Sequence, residues 1–385
     1  MKKTITLLCI LLPLLSVFPS GTLQTRAAGE KTVSCEKRLK AMSLEEKVGQ
    51  LFIVRPEALA GRLAKGNTHA VTKICKTIQK NIKKYNVGGV AMFSQNITTP
   101  GQITKLNKDL QKSAKTGLFI CVDEEGGSVA RIANNRKFKV KKYSSMQSVG
   151  KTGKTSKAKA ACYTIGRYLK KYGFNLDFAP VADVNTNPKN IVIGKRAFGS
   201  SPGLVSKMVD AGIKGFHKAG VMTCVKHFPG HGDTKGDTHT GYVSVNRTWA
   251  QLNKRELLPF KKAITSPTDL VMVAHITADN VTGDELPASL SRQMITKRLR
   301  GTLKYKGVVI TDAMEMGAIV KNYSSGESAV MAIQAGADII LMPQNFTEAY
   351  RAVCEAVRDG KISEKRLDES VLRILRLKEK YGLLK

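Results

Sequence analysis

The densest group of reactive side chains in this 385-residue chain is Lys226-His227-Phe228-Pro229-Gly230-His231-Gly232-Asp233-Thr234. After Lys235 and Gly236 it continues as Asp237-Thr238-His239. Three of the six histidines fall here, among glycines and a proline that specify a shaped loop rather than a helix. Asp237 and His239, two residues apart, can form a dyad. A carboxylate bonded to one imidazole nitrogen fixes the tautomer and raises basicity, leaving the other nitrogen to exchange a proton with a leaving group. Lys226 and His227 can donate hydrogen bonds to ligand hydroxyls, and His231 with the glycines is read as shaping the loop. A metal site is the competing chemistry. The spacing matches no common zinc motif, however, and a lysine beside the first histidine would oppose a cation. No metal and no cofactor is expected.

These side chains need a scaffold, and the rest of the chain supplies its rhythm. Eight short apolar, β-branched runs (50–54, 89–93, 118–122, 177–181, 222–225, 270–274, 307–311 and 338–342) alternate with helix-compatible segments. One such segment, 43–49, opens with the capping box Ser43-Leu44-Glu45-Glu46. The last carries Leu367, Val371, Ile374 and Leu375 on one face. This pattern predicts an α/β chain forming a single (β/α)8 TIM-like barrel. No GxGxxG follows the first run, which argues against a dinucleotide fold. Polar residues stand directly after several runs: Asp123-Glu124-Glu125, Asp183, Lys226-His227, His275 and Asp312. In a barrel these positions share one rim, where active sites are found.

The N-terminus, Met1-Lys2-Lys3 followed by an apolar stretch from Ile5 to Phe18 and small residues to Ala27, reads as a secretory signal peptide over 1–27. It is too short and too interrupted by Pro13 for a membrane span. The barrel is assigned to 28–385, with an extracellular or wall-associated location and no stable membrane insertion. Six cysteines lie beyond the leader, several in strand-like runs such as Cys121, and are expected to be mostly buried free thiols. The net charge is +33, with 63 basic against 30 acidic residues, and the leader accounts for only Lys2, Lys3 and Arg26 of it. No nucleic-acid motif or aromatic-interleaved basic stripe accompanies this charge. Two readings stay open: distributed attraction to an anionic cell-wall polymer, and simple solubility.

Taken together, the motifs resemble the bacterial β-N-acetylhexosaminidases of glycoside hydrolase family 3. The match lies in Lys226 to Gly232 with the Asp237-Thr238-His239 step. It continues in Met42 to Leu51, Gly88-Gly89-Val90, Asp123 to Gly127, Phe178 to Val184, Arg196 to Gly199 and Ile310 to Met314. The resemblance implies that Asp312 is the nucleophile of a retaining reaction, that His239 with Asp237 is the acid/base, and that Asp123, Arg131, Arg196, Lys226 and His227 hold the sugar. Arg131 could instead be an ion pair supporting Asp123. A contact from His275 to substrate is left open, and Glu124 and Glu125 have less claim to one. Thr238 stands where Ser is commoner, and Ala313 where many relatives have a second Asp. With no further domain after the last helix, the leaving-group side is expected to be built from barrel loops alone. The implied activity is removal of terminal β-N-acetylglucosamine from N-acetylglucosamine-containing glycans, with peptidoglycan fragments as the source. The alternatives are a β-glucosidase, a β-N-acetylglucosaminide phosphorylase, and a wall-binding protein without activity.

Overall fold

A computed structural model describes residues 34–61, 70–234, 236, 238, 241 and 243–384. The signal-peptide assignment at 1–27 and the dyad residues Asp237 and His239 lie outside the described residues. Residues Cys35–Lys385 form one compact unit.

Eight parallel strands close into a barrel in chain order: β1 (Phe52–Val54), β2 (Gly89–Met92), β3 (Phe119–Val122), β4 (Leu176–Asp177), β5 (Met222–Phe228), β6 (Leu270–Val273), β7 (Val308–Ala313) and β8 (Ile339–Leu341), with β8 pairing back onto β1. The expected (β/α)8 barrel is therefore the observed fold. Each apolar run forms a strand because a β-branched segment buried on both faces gains most from a parallel sheet covered by helices. The capping box also forms: Glu46 N–H donates to Ser43 Oγ and Ser43 N–H to Glu46, both at 3.2 Å, at the head of helix Leu44–Gln50. Of the six cysteines, five are buried and Cys75 is exposed, all as free thiols.

Two strands depart from their runs. β4 stops at Asp177, since the segment passes through Pro180, which has no N–H for the ladder; pairing resumes only as a bridge from Val181 to Lys226. β5 extends through the polar pair Lys226-His227 to Phe228, with a register shift against β6 between Val225 and Phe228. A second shift, between Ile310 and Ala313, interrupts the pairing of β7 with β8 beside Asp312. Bulges re-aim side chains. Here the first lets two consecutive residues, which a regular strand would send to opposite faces, both line the same cavity.

The N-terminal ends of the strands are closed by the last helix, Glu364–Lys380, whose Leu367, Val371, Ile374 and Leu375 are all buried. Asp338, just before β8, accepts from Ser370 Oγ at 2.6 Å and Arg373 Nη1 at 3.1 Å. Asp269, just before β6, accepts from Lys380 Nζ at 2.8 Å and Tyr381 Oη at 2.9 Å. Lys378 is fully buried at this end, donating to Gln50 Oε1 at 2.6 Å with its ammonium 4.9 Å from the Phe119 ring centre. Burial depresses its pKa to about 7, only partly countered by Cys121.

A base whose folded pKa lies below its unfolded value costs stability wherever the unfolded chain holds the extra proton. That contribution therefore worsens as pH falls from about 10.5 to about 7 and is flat below. Lys378→Met is expected to raise unfolding free energy at pH 7 by about 1–4 kcal/mol. The gain should shrink as pH approaches 10. Urea melts of both proteins across that range are the check; a variant less stable than wild type at pH 7 would mean that Gln50 and Phe119 fully compensate the charge.

Candidate active site

The opposite, C-terminal rim opens into a cavity of about 670 Å³ lined by Asp123, Glu125, Arg131, Arg196, Lys226, His227 and Asp312 among others. All of the described residues to which a chemical role was assigned from sequence thus meet in one place, although they come from five separate stretches of chain.

Lys226 is the hub. Its Nζ donates to Asp123 Oδ1 and Glu125 Oε1, each at 2.6 Å. Glu125 in turn takes Arg196 bidentately, from Nε at 2.8 Å and Nη2 at 2.7 Å. Burial alone would raise the Glu125 carboxyl, but Arg196 and Lys226 outweigh it and hold the group far below the usual carboxylate range. On the cations the carboxylates outweigh burial, Asp123 and Glu125 at Lys226 and chiefly Glu125 at Arg196, so both are held above their ordinary values. Glu125, which had little claim from sequence, is thus the counter-charge that orients two of the assigned ligand-binding side chains. Its signal was available: it is the third residue of an acidic triplet at a strand end, whose neighbours have different fates.

Glu124 turns away from the cavity. It accepts Ile132 N–H at 2.8 Å, Ala133 N–H at 2.9 Å and Tyr168 Oη at 2.8 Å, and so braces the loop that carries Arg131. Arg131 stands between the support and the cavity. It lies 3.6 Å from Asp123 and also lines the cavity, its guanidinium 5.5 Å from the Phe93 ring centre. Phe93, immediately after β2, is a cavity residue that the rim argument could have found and did not.

His227 has its tautomer set by two partners. Nδ1–H donates to Asp183 at 2.6 Å, and Nε2 receives Arg196 Nη2–H at 3.3 Å. Asp183 is a support, not a rim ligand. It also accepts the backbone N–H of His231 at 2.7 Å, and the histidine field outweighs burial to keep it ionised.

The Gly-rich turn follows from close packing. A Cβ on Gly232 would stand 1.9 Å from Val184 O, and Gly230 adopts φ +126° against the Glu256 side chain. His231 is 2% exposed and lines the cavity, with Nδ1 on Thr234 Oγ1 at 2.7 Å and Nε2 without a partner among the described residues. Burial, aided by His227, lowers its pKa and keeps the ring neutral. It is thus tied into the loop through Thr234 while lining the cavity. Thr238, which separates the two dyad residues in sequence, is buried, lines the cavity and accepts Ala318 N–H at 3.1 Å.

Asp312 closes the set at the end of β7. Its Oδ1 accepts Ala313 N–H at 2.8 Å. Burial would raise its pKa, but the fields of His227 and His275 and the Ala313 N–H prevail, so the carboxyl is held below its ordinary value and is ionised at neutral pH. His275 does not reach the cavity. It is fully buried, with Nδ1 on Ser289 Oγ at 2.7 Å and Nε2–H on Ala313 O at 2.9 Å, and it steadies the peptide that follows Asp312. Glu315 and Arg55, 3.1 Å apart, were not singled out from sequence; Glu315 forms part of the cavity wall.

The glycosyl hydrolase family 3 N-terminal domain model matches residues 43–377. The chain belongs to glycosyl hydrolase family 3. Among relatives in this family, it is 36% identical over 340 residues to Beta-hexosaminidase A of Pseudoalteromonas piscicida, covering 81% of this chain and 56% of that one. It is 32% identical over 321 residues to Beta-hexosaminidase LpqI of Mycobacterium tuberculosis, covering 78% of each. The solved structure of a family 3 β-N-acetylglucosaminidase from Paenibacillus sp. str. FPU-7 superposes with a TM-score of 0.82 at 38% identity, covering 89% of this chain and 63% of that one. The family 3 barrel described here therefore spans just over half of the first relative and under two thirds of the Paenibacillus protein. No group of His, Cys, Asp and Glu arranged to hold a metal ion occurs among the described residues.

Proposed function

We propose that the protein is an exported, retaining exo-β-N-acetylhexosaminidase that removes terminal β-linked N-acetylglucosamine, with peptidoglycan fragments as its source of substrate. The observation that carries this reading is the ionised Asp312 carboxylate at the rim of a cavity whose other walls are the Lys226, Arg196, Glu125 and Asp123 network. The similarity to β-hexosaminidases over most of the chain supports the sugar class.

In this reading an Asp312 oxygen attacks the anomeric carbon and forms a glycosyl ester as the glycosidic C–O bond breaks. The departing oxygen takes its proton from the His239 imidazolium, which Asp237 orients. Water, deprotonated by the now neutral His239, then displaces Asp312 and gives net retention. Asp123 and Lys226 hold hydroxyls, the first as acceptor and the second as donor, while Arg131 and Arg196 surround the ring.

Release of nitrophenol from aryl glycosides of N-acetylglucosamine, glucose and N-acetylgalactosamine, with and without phosphate, tests the assignment. Turnover of the N-acetylglucosaminide, independent of phosphate, is expected. A preference for glucose would make the protein a β-glucosidase, and phosphate dependence a phosphorylase. His239→Ala is expected to lose about 10²–10⁴-fold on a natural disaccharide. It should lose far less on a nitrophenyl glycoside, whose leaving group needs little protonation. Equal losses on both substrates would reassign His239 to loop organisation.

A further inference from the structure

The sequence spreads its positive charge over the whole chain, but the fold gathers part of it into one place. On helix Thr155–Lys171, which follows β3, the apolar positions Ala158, Ala161, Cys162, Ile165 and Leu169 are buried, so Arg167, Lys170 and Lys171 emerge on the outer wall. On helix Pro100–Ser113, which follows β2, burial of Ile103, Leu106 and Leu110 likewise turns Lys105, Lys108 and Lys112 outward. Helix Pro202–Ala219 contributes Lys218 beside the first of these, and the loop before Thr155 adds Lys139 and Lys141.

The result is an open cleft of about 680 Å³ whose lining includes Lys139, Lys141, Arg167, Lys170, Lys171 and Lys218 and not one acidic residue. A second hollow, of about 550 Å³, shares Lys171 and Tyr172 with it and adds the three lysines of helix Pro100–Ser113. Its one acid, Asp109, is already paired with Lys105 at 2.7 Å. The two hollows make an elongated track, not a point site. Arginines at the base of the barrel and at the active site are neutralised by buried carboxylates. By contrast, the six cations of the cleft are exposed and form no ion pair among the described residues. Concentrating unpaired like charge in a concavity is unfavourable unless an anion enters it.

The details narrow the anion's chemistry. Three tyrosines line the cleft. Tyr168 is buried with its hydroxyl on Glu124, and cations already sit over the other two. Lys218 lies 5.1 Å and Arg167 5.9 Å from the Tyr163 ring centre, and Lys171 lies 5.8 Å from that of Tyr172. Bases of a single-stranded nucleic acid bind by stacking on free aromatic faces, and these rings are taken. Five of the six charges are ammonium groups, compact point donors that suit isolated phosphate oxygens better than the planar fork of a carboxylate.

We propose that this cleft, on the helices following β2, β3 and β4, binds a linear polyol-phosphate polymer with one phosphodiester per short repeat. The site is separate from the cavity that holds Asp312 and stands or falls independently of the hydrolytic reading. It replaces evenly distributed attraction with a defined track.

The experiment compares two triple variants of equal net charge: Arg167→Glu/Lys171→Glu/Lys218→Glu in the cleft, and Lys297→Glu/Lys306→Glu/Lys365→Glu at exposed positions elsewhere. Binding of fluorescently labelled poly(glycerol phosphate) is followed by anisotropy across a salt series, with a single-stranded DNA of equal charge as the second arm. The cleft variant is expected to weaken polymer binding about tenfold or more at 0.1 M salt and to flatten the salt slope by about two to three units. The control should lose less than about threefold and keep its slope, and both should cleave a neutral aryl glycoside as wild type does. Equal losses in the two variants would return the charge to a distributed role. DNA binding as tight as polymer binding, and lost in the cleft variant alone, would overturn the polyol-phosphate assignment in favour of nucleic acid.

Discussion

Asp312→Ala is expected to reduce kcat/KM for an aryl N-acetylglucosaminide by on the order of 10⁵-fold, the scale seen when a covalent nucleophile is removed from an otherwise intact site. The loss should fall on kcat. The Lys226, Glu125, Arg196 and Asp123 network does not depend on Asp312 for any of its hydrogen bonds, so ground-state affinity should change little. Asp312→Asn should fail to the same degree, since it keeps the bond from Ala313 N–H but not the negative charge. A fluorinated aryl glycoside that traps the intermediate should add one sugar mass to the peptide containing Asp312. Labelling on the peptide that carries Asp123 or Glu125 would overturn the assignment, and residual activity of the Asn variant near the wild-type level would do so as well.

The second large effect concerns Glu125, which does no bond-making in the proposed reaction. Glu125→Gln removes the carboxylate that, alone among the described residues, contacts both Lys226 and Arg196, leaving two buried or nearly buried cations short of counter-charge. Breaking a buried pair in this way costs about 3–5 kcal/mol, to be read from urea unfolding. Catalysis should suffer mainly through KM, because Lys226 retains Asp123 but Arg196 loses the fork that orients it.

The pH dependence separates this account from a general packing defect. Glu125 has a folded pKa below its unfolded value of 4.5, so its contribution is fully present above that value and fades as pH drops through and below it. The stability gap between wild type and Glu125→Gln should therefore be widest near neutrality and close progressively in acid. A gap that stays constant from pH 7 to pH 3 would show that the carboxylate charge is not what the site needs.

The fold was legible in the chain because alternation is a local property. A parallel barrel needs eight short segments buried on both faces, and apolar β-branched runs announce them one at a time. The rim was legible for the same reason: Asp312 stands at the C-terminal end of its strand and Asp338 directly before its own, so chain direction alone sends one to the cavity and the other to the base. The Gly230-His231-Gly232 turn and the Ser43 capping box were likewise written in residue types with local causes.

The division of labour among neighbouring polar residues was not legible, because it depends on what the rest of the barrel brings alongside. Asp123, Glu124 and Glu125 are consecutive carboxylates, yet Lys226 from β5 selects the first and third while Tyr168 and two backbone N–H groups claim the second. His227 and His275 both end strands, and only the bulge in β5 and the Ala313 carbonyl beside β7 decide that one faces the cavity and the other a peptide. The track of unpaired lysines is the same kind of fact. Each helix reveals its own outward face through its spacing, but that two such faces and the 139–141 loop meet in one concavity with no carboxylate among its six cations, and that a third face adjoins it, is fixed by how the helices pack around β2, β3 and β4. Spacing along one segment settles which side of that segment is buried; the charges it will meet there belong to other segments, and only packing brings them within the few ångströms over which ion pairs form.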